Sequence, residues 1–243
     1  GINPIVGHTR MDFKIEARDS VVNQAAKWSN MLGGQAHPGV TIRSIINRGG
    51  EQGAQHSQAL HAWFAHVPGL RVVMPSTVAD ARDLLIASVL CPDPVMYIDD
   101  RWLYEQEDEL PPVNEINLLD QRPHITQTVT DITIVSSGHT SLLSRDAAAL
   151  LICKKSSAEV IDIRVLNPFH ADGIVTSVKK TRNILVADSG TLSAGFSGEI
   201  IAKVAERLPV DCLKNKPMRI ALPDAPAPTS RLLEKDYYLS VED

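Results

Sequence analysis

Apolar positions along this chain come in short continuous runs separated by helical stripes. The runs VTI (40–42), VVM (72–74) and VMYI (95–98) fit strands buried on both faces, as parallel sheets require. The first half predicts strands over residues 3–8, 39–46, 71–75 and 94–98. Helices are predicted between them over 18–32, 57–67 and 77–90. Val21, Ala25, Trp28 and Leu32 form one stripe, and Leu60, Trp63, Phe64 and Val67 form another. Thr77 reads as an N-cap. The second half predicts strands over 131–137, 159–166, 183–189 and 218–222 and helices over 141–155, 171–181 and 195–208. Leu143, Ala147, Leu150 and Leu151 are expected to face inward, and Ile200, Ile201, Val204 and Leu208 share one side of the last helix. Alternation of this kind predicts an α/β fold with doubly wound sheets and right-handed crossovers. Residues 99–127 break the pattern with Glu105, Glu107, Asp108, Glu109, Pro111, Pro112 and Pro123, and read as a surface linker. Two domains are therefore expected, over 1–100 and 131–243, joined by a linker over 101–130.

Composition narrows the classes. The 243 residues are 44% hydrophobic, enough for a full core. Net charge is −5 and no long basic run occurs, which argues against nucleic acid as a partner. No apolar stretch approaches the length that spans a membrane. Cys91, Cys153 and Cys212 are too far apart for a zinc pattern or a disulfide framework. They read as buried structural thiols in a reducing compartment.

The chemistry concentrates in residues 49–104. A loop with Gly49, Gly50 and Gly53 ends on Gln55-His56-Ser57 and runs into the predicted 57–67 helix. His56 is placed either to meet an anionic ligand at the helix start or to cap a surface loop. His56, His61 and His66 do not suit a metal, because a spacing of five turns side chains roughly 140° apart on a helix. No metal site is expected. The loop lacks the Lys-Ser/Thr of a P-loop and the GxGxxG pattern, so its glycines read as permitting tight backbone.

The run QHSQ, HVPGLRVVMPST, DAR and DPV resembles the β subunit of the thiamine-diphosphate-dependent decarboxylating component of 2-oxo acid dehydrogenases. That family includes the pyruvate, branched-chain and acetoin enzymes. NPIVGHTRMDF, VVNQAAKW and GGQ before this run are similar to the same family. TIVSSG, AEVIDIRVLNPF, GFSGEI, DAPAP and LEKDYY after it extend the resemblance in order along nearly the whole chain. The resemblance implies an incomplete pyrimidine-binding domain, followed by a transketolase C-terminal-type domain. It implies decarboxylation of a 2-oxo acid on thiamine diphosphate and transfer of the acyl unit to a lipoyl group on an acyltransferase core. The partners implied are an α subunit, which holds most of the cofactor's diphosphate and magnesium, and a second β subunit. The compartment implied is the cytoplasm, with the mitochondrial matrix left open. A single-chain transketolase or 1-deoxyxylulose-5-phosphate synthase is the rival enzymatic reading. A non-catalytic assembly protein that kept the fold is the other rival.

The resemblance also assigns residues. His56 matches a histidine that bonds the substrate carboxylate or an intermediate and shuttles a proton, a task suited to imidazole. Ser57 and Gln58 would orient it. Phe13 matches an aromatic ring that packs on the aminopyrimidine; a core phenylalanine is its bland alternative. Thr9 stands where relatives carry a larger apolar residue lining the same pocket. Arg43 matches a retained arginine, with an ion pair as the alternative. Cys91 and Asp93 occupy the place where some relatives bind potassium; cysteine is a poor ligand for that ion, which stays open. The activating glutamate of thiamine enzymes lies before the strand at 3–8 in this family, and Glu16 and Asp19 cannot replace it. A chain cut at both ends is thus expected, opening mid-pattern at Gly1 and stopping at Ser240-Val241-Glu242-Asp243, which has capping-box form.

Overall fold

The structure is a computed structural model and describes residues 2–126 and 130–243. Gly1, where the expected opening begins, and Gln127, the last residue of the irregular stretch, lie outside the described residues. Two five-stranded sheets form the core. The first contains β1 (Ile5–His8), β2 (Thr41–Ile46), β3 (Arg71–Val73), β4 (Val95–Asp100) and β8 (Val165–Asn167), in the order β1-β2-β4-β3-β8. The second contains β5 (His124–Ile125), β6 (Ile132–Ser136), β7 (Ala158–Asp162), β9 (Ile184–Thr191) and β10 (Met218–Leu222), in the order β10-β9-β6-β7-β5. Four strands of each sheet run parallel, and one edge strand of each, β8 and β5, runs antiparallel. In the first half α2 (His61–Ala65) packs on β3 and α3 (Val78–Leu90) on β4. In the second half α4 (His139–Cys153) covers β6, β7 and β9, α5 (Asp172–Thr181) packs on β6, and α6 (Phe196–Ala205) lies on β9 and β10. The architecture is therefore α/β, as the alternation predicts.

The predicted strand over 159–166 is two strands in two sheets. Arg164 has φ +57, so the chain turns between β7 and β8. β7 stays in the second sheet, while β8 crosses to pair with β3 of the first. Arg164 holds the turn with an ion pair to Asp80 at 2.8 Å and a bond to the carbonyl of Arg122 at 3.0 Å. One apolar cluster then runs through both halves, joining Ile46, Phe64 and Val72 to Val135, Ile161 and Ile174. Most of the stretch over 101–126 is irregular, but His124–Ile125 forms β5, and Leu118 is buried. Arg82 of α3 holds this stretch by the carbonyls of Pro111 at 2.7 Å and Pro112 at 3.2 Å.

Several helices differ from the periodicity. Residues 18–32 begin as a π-helical turn over Asp19–Ala25 and become α1 only at Ala26–Met31. The wider turn shifts the inward face. Val21 and Ala26 are buried, while Trp28 and Leu32, expected on the same stripe as Val21, are exposed. In α4 the inward residues are Thr140, Ser141, Ser144 and Ala148. Leu151 packs on the buried cluster of Ile134, Ala148, Ala158 and Val160 as expected, whereas Leu143 and Ala147 line an open cleft with Ile134, Leu185 and Ile220, and Leu150 is exposed. Leu143, Ala147 and Leu150 were expected inward because periodicity marks an apolar face without saying which neighbour meets it. α3 keeps its predicted cap: the Thr77 hydroxyl accepts the Asp80 N–H at 3.1 Å. α6 buries Ile200 and Val204 as expected. A last helix, α7 (Arg231–Tyr237), had no periodic signal. Beyond it Asp243 accepts the Ser240 N–H at 2.7 Å, but Ser240 Oγ accepts the Glu242 N–H at 3.2 Å rather than that of Asp243, so only one half of the expected capping box forms. Cys91 is buried, but Cys153 is exposed and Cys212 half-buried, so the expectation of three buried thiols holds only for the first.

Candidate functional site

Ligand sites in α/β sheets form beyond the carboxyl ends of the strands. At that edge of the first sheet, β1 ends at His8 and β2 at Ile46. The chain after β1 folds back over the end of β2, and the Met11 N–H donates to the Ile45 carbonyl at 2.9 Å. A 3-10 helix over Asp12–Ala17 follows. The Gly-rich loop after β2 returns to meet it. Asp12 Oδ1 accepts both the backbone N–H and the side-chain amide of Gln58, each at 3.0 Å. Met11 Sδ receives the Leu60 N–H at 3.2 Å. This clasp brings Phe13 and His56 together: their rings meet edge to face with centroids 5.3 Å apart. Phe13 is 47% exposed, so it is not a core phenylalanine. His56 is half-buried.

Thr9 lies at the same edge, exposed, and its carbonyl accepts from Arg10 at 2.9 Å; no side-chain bond joins it to Phe13 or His56. Ser57 and Gln58 do not orient the His56 ring. Ser57 is buried with no partner for its hydroxyl among the described residues, and Gln58 serves Asp12. His56 also has no helix dipole behind it. α2 begins only at His61 and is five residues long, whereas periodicity had started it at 57. His56 sits in a turn closed by its own N–H on the Gly53 carbonyl at 3.3 Å.

Two of the three loop glycines answer to close neighbours. Gly49 has φ +72, and a Cβ there would lie 2.6 Å from Trp102 Cζ2. Gly53 has φ +71, and its Cβ would lie 2.5 Å from Thr229 Cγ2. The Glu51 N–H donates to Glu234 of α7 at 2.9 Å. The C-terminal segment thus clamps the loop. Trp102 is the hub of this clamp, with His139 at 4.9 Å, Tyr238 at 5.2 Å and the Arg48 guanidinium at 5.5 Å; Arg48 is also paired with buried Asp100.

Lys14 is buried, with no ion pair among the described residues, and burial pushes its amine down to about 8. Burial, with the charge of Lys14 second, lowers His8 below its ordinary value. Arg43 pairs with Asp99 and donates to the Tyr104 hydroxyl at 3.0 Å; the alternative for that residue was a buried ion pair, and the pair forms with Asp99 largely buried but Arg43 39% exposed.

The three histidines of the loop and helix have different surroundings. His66 is exposed. His61 is 1% exposed and its Nε2 lies 2.8 Å from Asp188 Oδ1 of the second half. Burial would raise the Asp188 carboxyl, but His61 and the N–H groups of Gly190 and Ser197 outweigh burial and hold it at about 2. Sequence reasoning missed this pair, and Asp12 with it. His61 and Asp188 lie in different halves, and no local pattern joins them. At the place considered for potassium, the Asp93 carboxylate takes Arg71 Nε at 2.9 Å and has His37 at 3.6 Å. Among the described residues no group of three or more His, Cys, Asp or Glu side chains is arranged for a metal ion, and no helix is long and apolar enough to cross a membrane.

Residues 1–106 match the family described as transketolase, pyrimidine binding domain, and residues 123–243 match transketolase, C-terminal domain. The chain is 35% identical over 235 residues to the pyruvate dehydrogenase E1 component subunit beta of Rhizobium meliloti, covering 97% of this chain and 51% of that protein. It is 34% identical over 243 residues to the acetoin:2,6-dichlorophenolindophenol oxidoreductase subunit beta of Bacillus subtilis, covering 100% of this chain and 70% of that one. The chain thus spans about half the length of the rhizobial relative. A solved split-gene transketolase, described as an inactive beta4 tetramer, shares the fold with a TM-score of 0.78 at 19% identity, over 98% of this chain and 72% of its own. With both domain types in order and relatives of this identity along its length, the chain belongs to the transketolase-like family of β subunits of thiamine-diphosphate-dependent 2-oxo acid dehydrogenases.

Proposed function

We propose that this chain is the β-subunit part of a thiamine-diphosphate-dependent 2-oxo acid dehydrogenase that decarboxylates a 2-oxo acid. The acyl unit passes to a lipoyl group on an acyltransferase core, and an α subunit completes the site. The observation that carries the reading is the pair Phe13 and His56 at the carboxyl edge of the first sheet. A half-exposed aromatic ring beside an imidazole suits a flat heterocycle with a protonatable neighbour. When bound, thiamine diphosphate supplies the carbanion stabilisation. Phe13 would pack on its pyrimidine ring, Thr9 would stand at the same edge, and His56 would bond the substrate carboxylate and move a proton.

The α subunit holds the diphosphate and its magnesium, consistent with a loop here that has no phosphate-binding lysine. Exposed Ile5, Val6, Trp28, Met31 and Leu32 leave apolar surface on the first half that an α chain or a second β chain would cover. The free thiols suit a reducing compartment, the cytoplasm or the mitochondrial matrix. The test is His56→Ala in the enzyme assembled with its α subunit. Turnover should fall by about 10²–10⁴ with a much smaller change in cofactor affinity. An unchanged turnover number would reduce His56 to a loop residue and end the proposal.

A further inference from the structure

We infer that His61 and Asp188 are a positioning pair that ties the His56 loop to the second domain; the catalytic side of this inference rests on the reading of His56 given above. His61 opens α2, and Asp188 lies in β9, so the bond between them crosses from one half of the chain to the other. Both side chains are buried, at 1% and 4% exposure. One carboxylate fixes three elements at once. Asp188 Oδ1 takes His61 and the Gly190 N–H at 2.9 Å, and Oδ2 takes the Ser197 N–H at 2.8 Å at the start of α6. The backbone around it is shaped for close approach. A Cβ on Gly190 would lie 3.2 Å from His61 Cε1, and one on Gly195 would lie 2.2 Å from the Thr191 carbonyl oxygen. His61 Nδ1 has no partner among the described residues, so the ring's hydrogen bonding goes to Asp188.

The segment between His56 and α2 is not helical and cannot hold itself. On one side Asp12 and Met11 anchor it, through Gln58 and Leu60. On the other side its anchor is His61. The same segment forms one wall of a cleft of about 630 Å³, with Gln55, Ser57 and Gln58 facing Gly190, Thr191 and Ser193 of the second half. Loss of the pair frees that wall next to His56, while the sheets that carry the fold remain.

The test measures amide hydrogen exchange of the full chain in wild type, His61→Ala, His61→Gln and Asp188→Asn. Gln keeps an N–H for Asp188. We expect exchange at residues 53–60 to rise about tenfold in His61→Ala, the scale of one lost charge-assisted bond. His61→Gln should recover most of the protection, Asp188→Asn should loosen the same residues, and α4 and β6 should stay unchanged. In the assembled enzyme His61→Ala should lower kcat while KM for the 2-oxo acid holds. Unchanged exchange at 53–60, loosening spread evenly over the second half, or no recovery in His61→Gln would each overturn the inference. If His56→Ala proves silent, the proposed function falls, and the exchange result still decides whether the pair holds the loop.

Discussion

Asp162 offers a sharp test of the interdomain packing. It ends β7, is 1% exposed, and accepts the hydroxyl of Ser76, which follows β3 in the first half. The Ser141 hydroxyl also bears on the carboxyl. Burial raises the carboxyl from 3.8 to about 6, against the opposing pull of the Ser76 hydroxyl. The folded value lies above the unfolded one, so the native state binds the extra proton between them. That contribution is complete below the unfolded value and is lost as pH rises through about 6. The shift corresponds to about 3 kcal/mol between acid and neutral pH. Asp162→Asn replaces the carboxylate with a neutral group of the same shape. Its amide faces the same hydroxyls with one acceptor oxygen fewer, so a net gain of about 1–2 kcal/mol at pH 8 is expected. For a chain of this size that is roughly a 2–8 °C rise in Tm. At pH 4 the two proteins should melt together, because the wild-type carboxyl is then protonated. Thermal unfolding followed by circular dichroism from pH 4 to 8 measures both ends. A difference between variant and wild type that does not change with pH would refute the reasoning, and so would a less stable variant at pH 8.

Lys14→Met should stabilise the chain at pH 7 by on the order of 1 kcal/mol, since the native state binds fewer protons between about 8 and 10.5 and stability rises with pH across that window. The gain should vanish in melts above that window. Phe13→Ala should raise the apparent Kd for thiamine diphosphate about tenfold in the assembled enzyme, read by calorimetry; unaltered binding with a lower Tm would make the ring purely structural. Gly49→Ala should cost about 1–2 kcal/mol in chemical unfolding, because it adds a Cβ at positive φ against Trp102. The chain alone should bind cofactor and magnesium weakly, and micromolar binding in a titration would show that it holds the diphosphate by itself.

Sequence determined the alternation of strands and helices, because buried parallel strands need unbroken apolar runs such as 72–74 and 95–98 wherever they end up. It determined the Thr77 cap, which depends on residues three apart. Local signals of this kind survive folding because their partners are neighbours in the chain. What periodicity cannot report is which surface an apolar face meets. α4 buried its serines and left Leu143 on an open cleft and Leu150 exposed, and the π-helical turn before α1 moved Trp28 outward. The split of β7 from β8 followed from one left-handed residue, Arg164, whose conformation is stabilised by Asp80 from the other half. Tertiary structure alone decided that Phe13 lies on His56, that α7 clamps the glycine loop, and that His61 finds Asp188. Each contact joins residues far apart in the chain, and only the packing of the two sheets brings them within bonding distance.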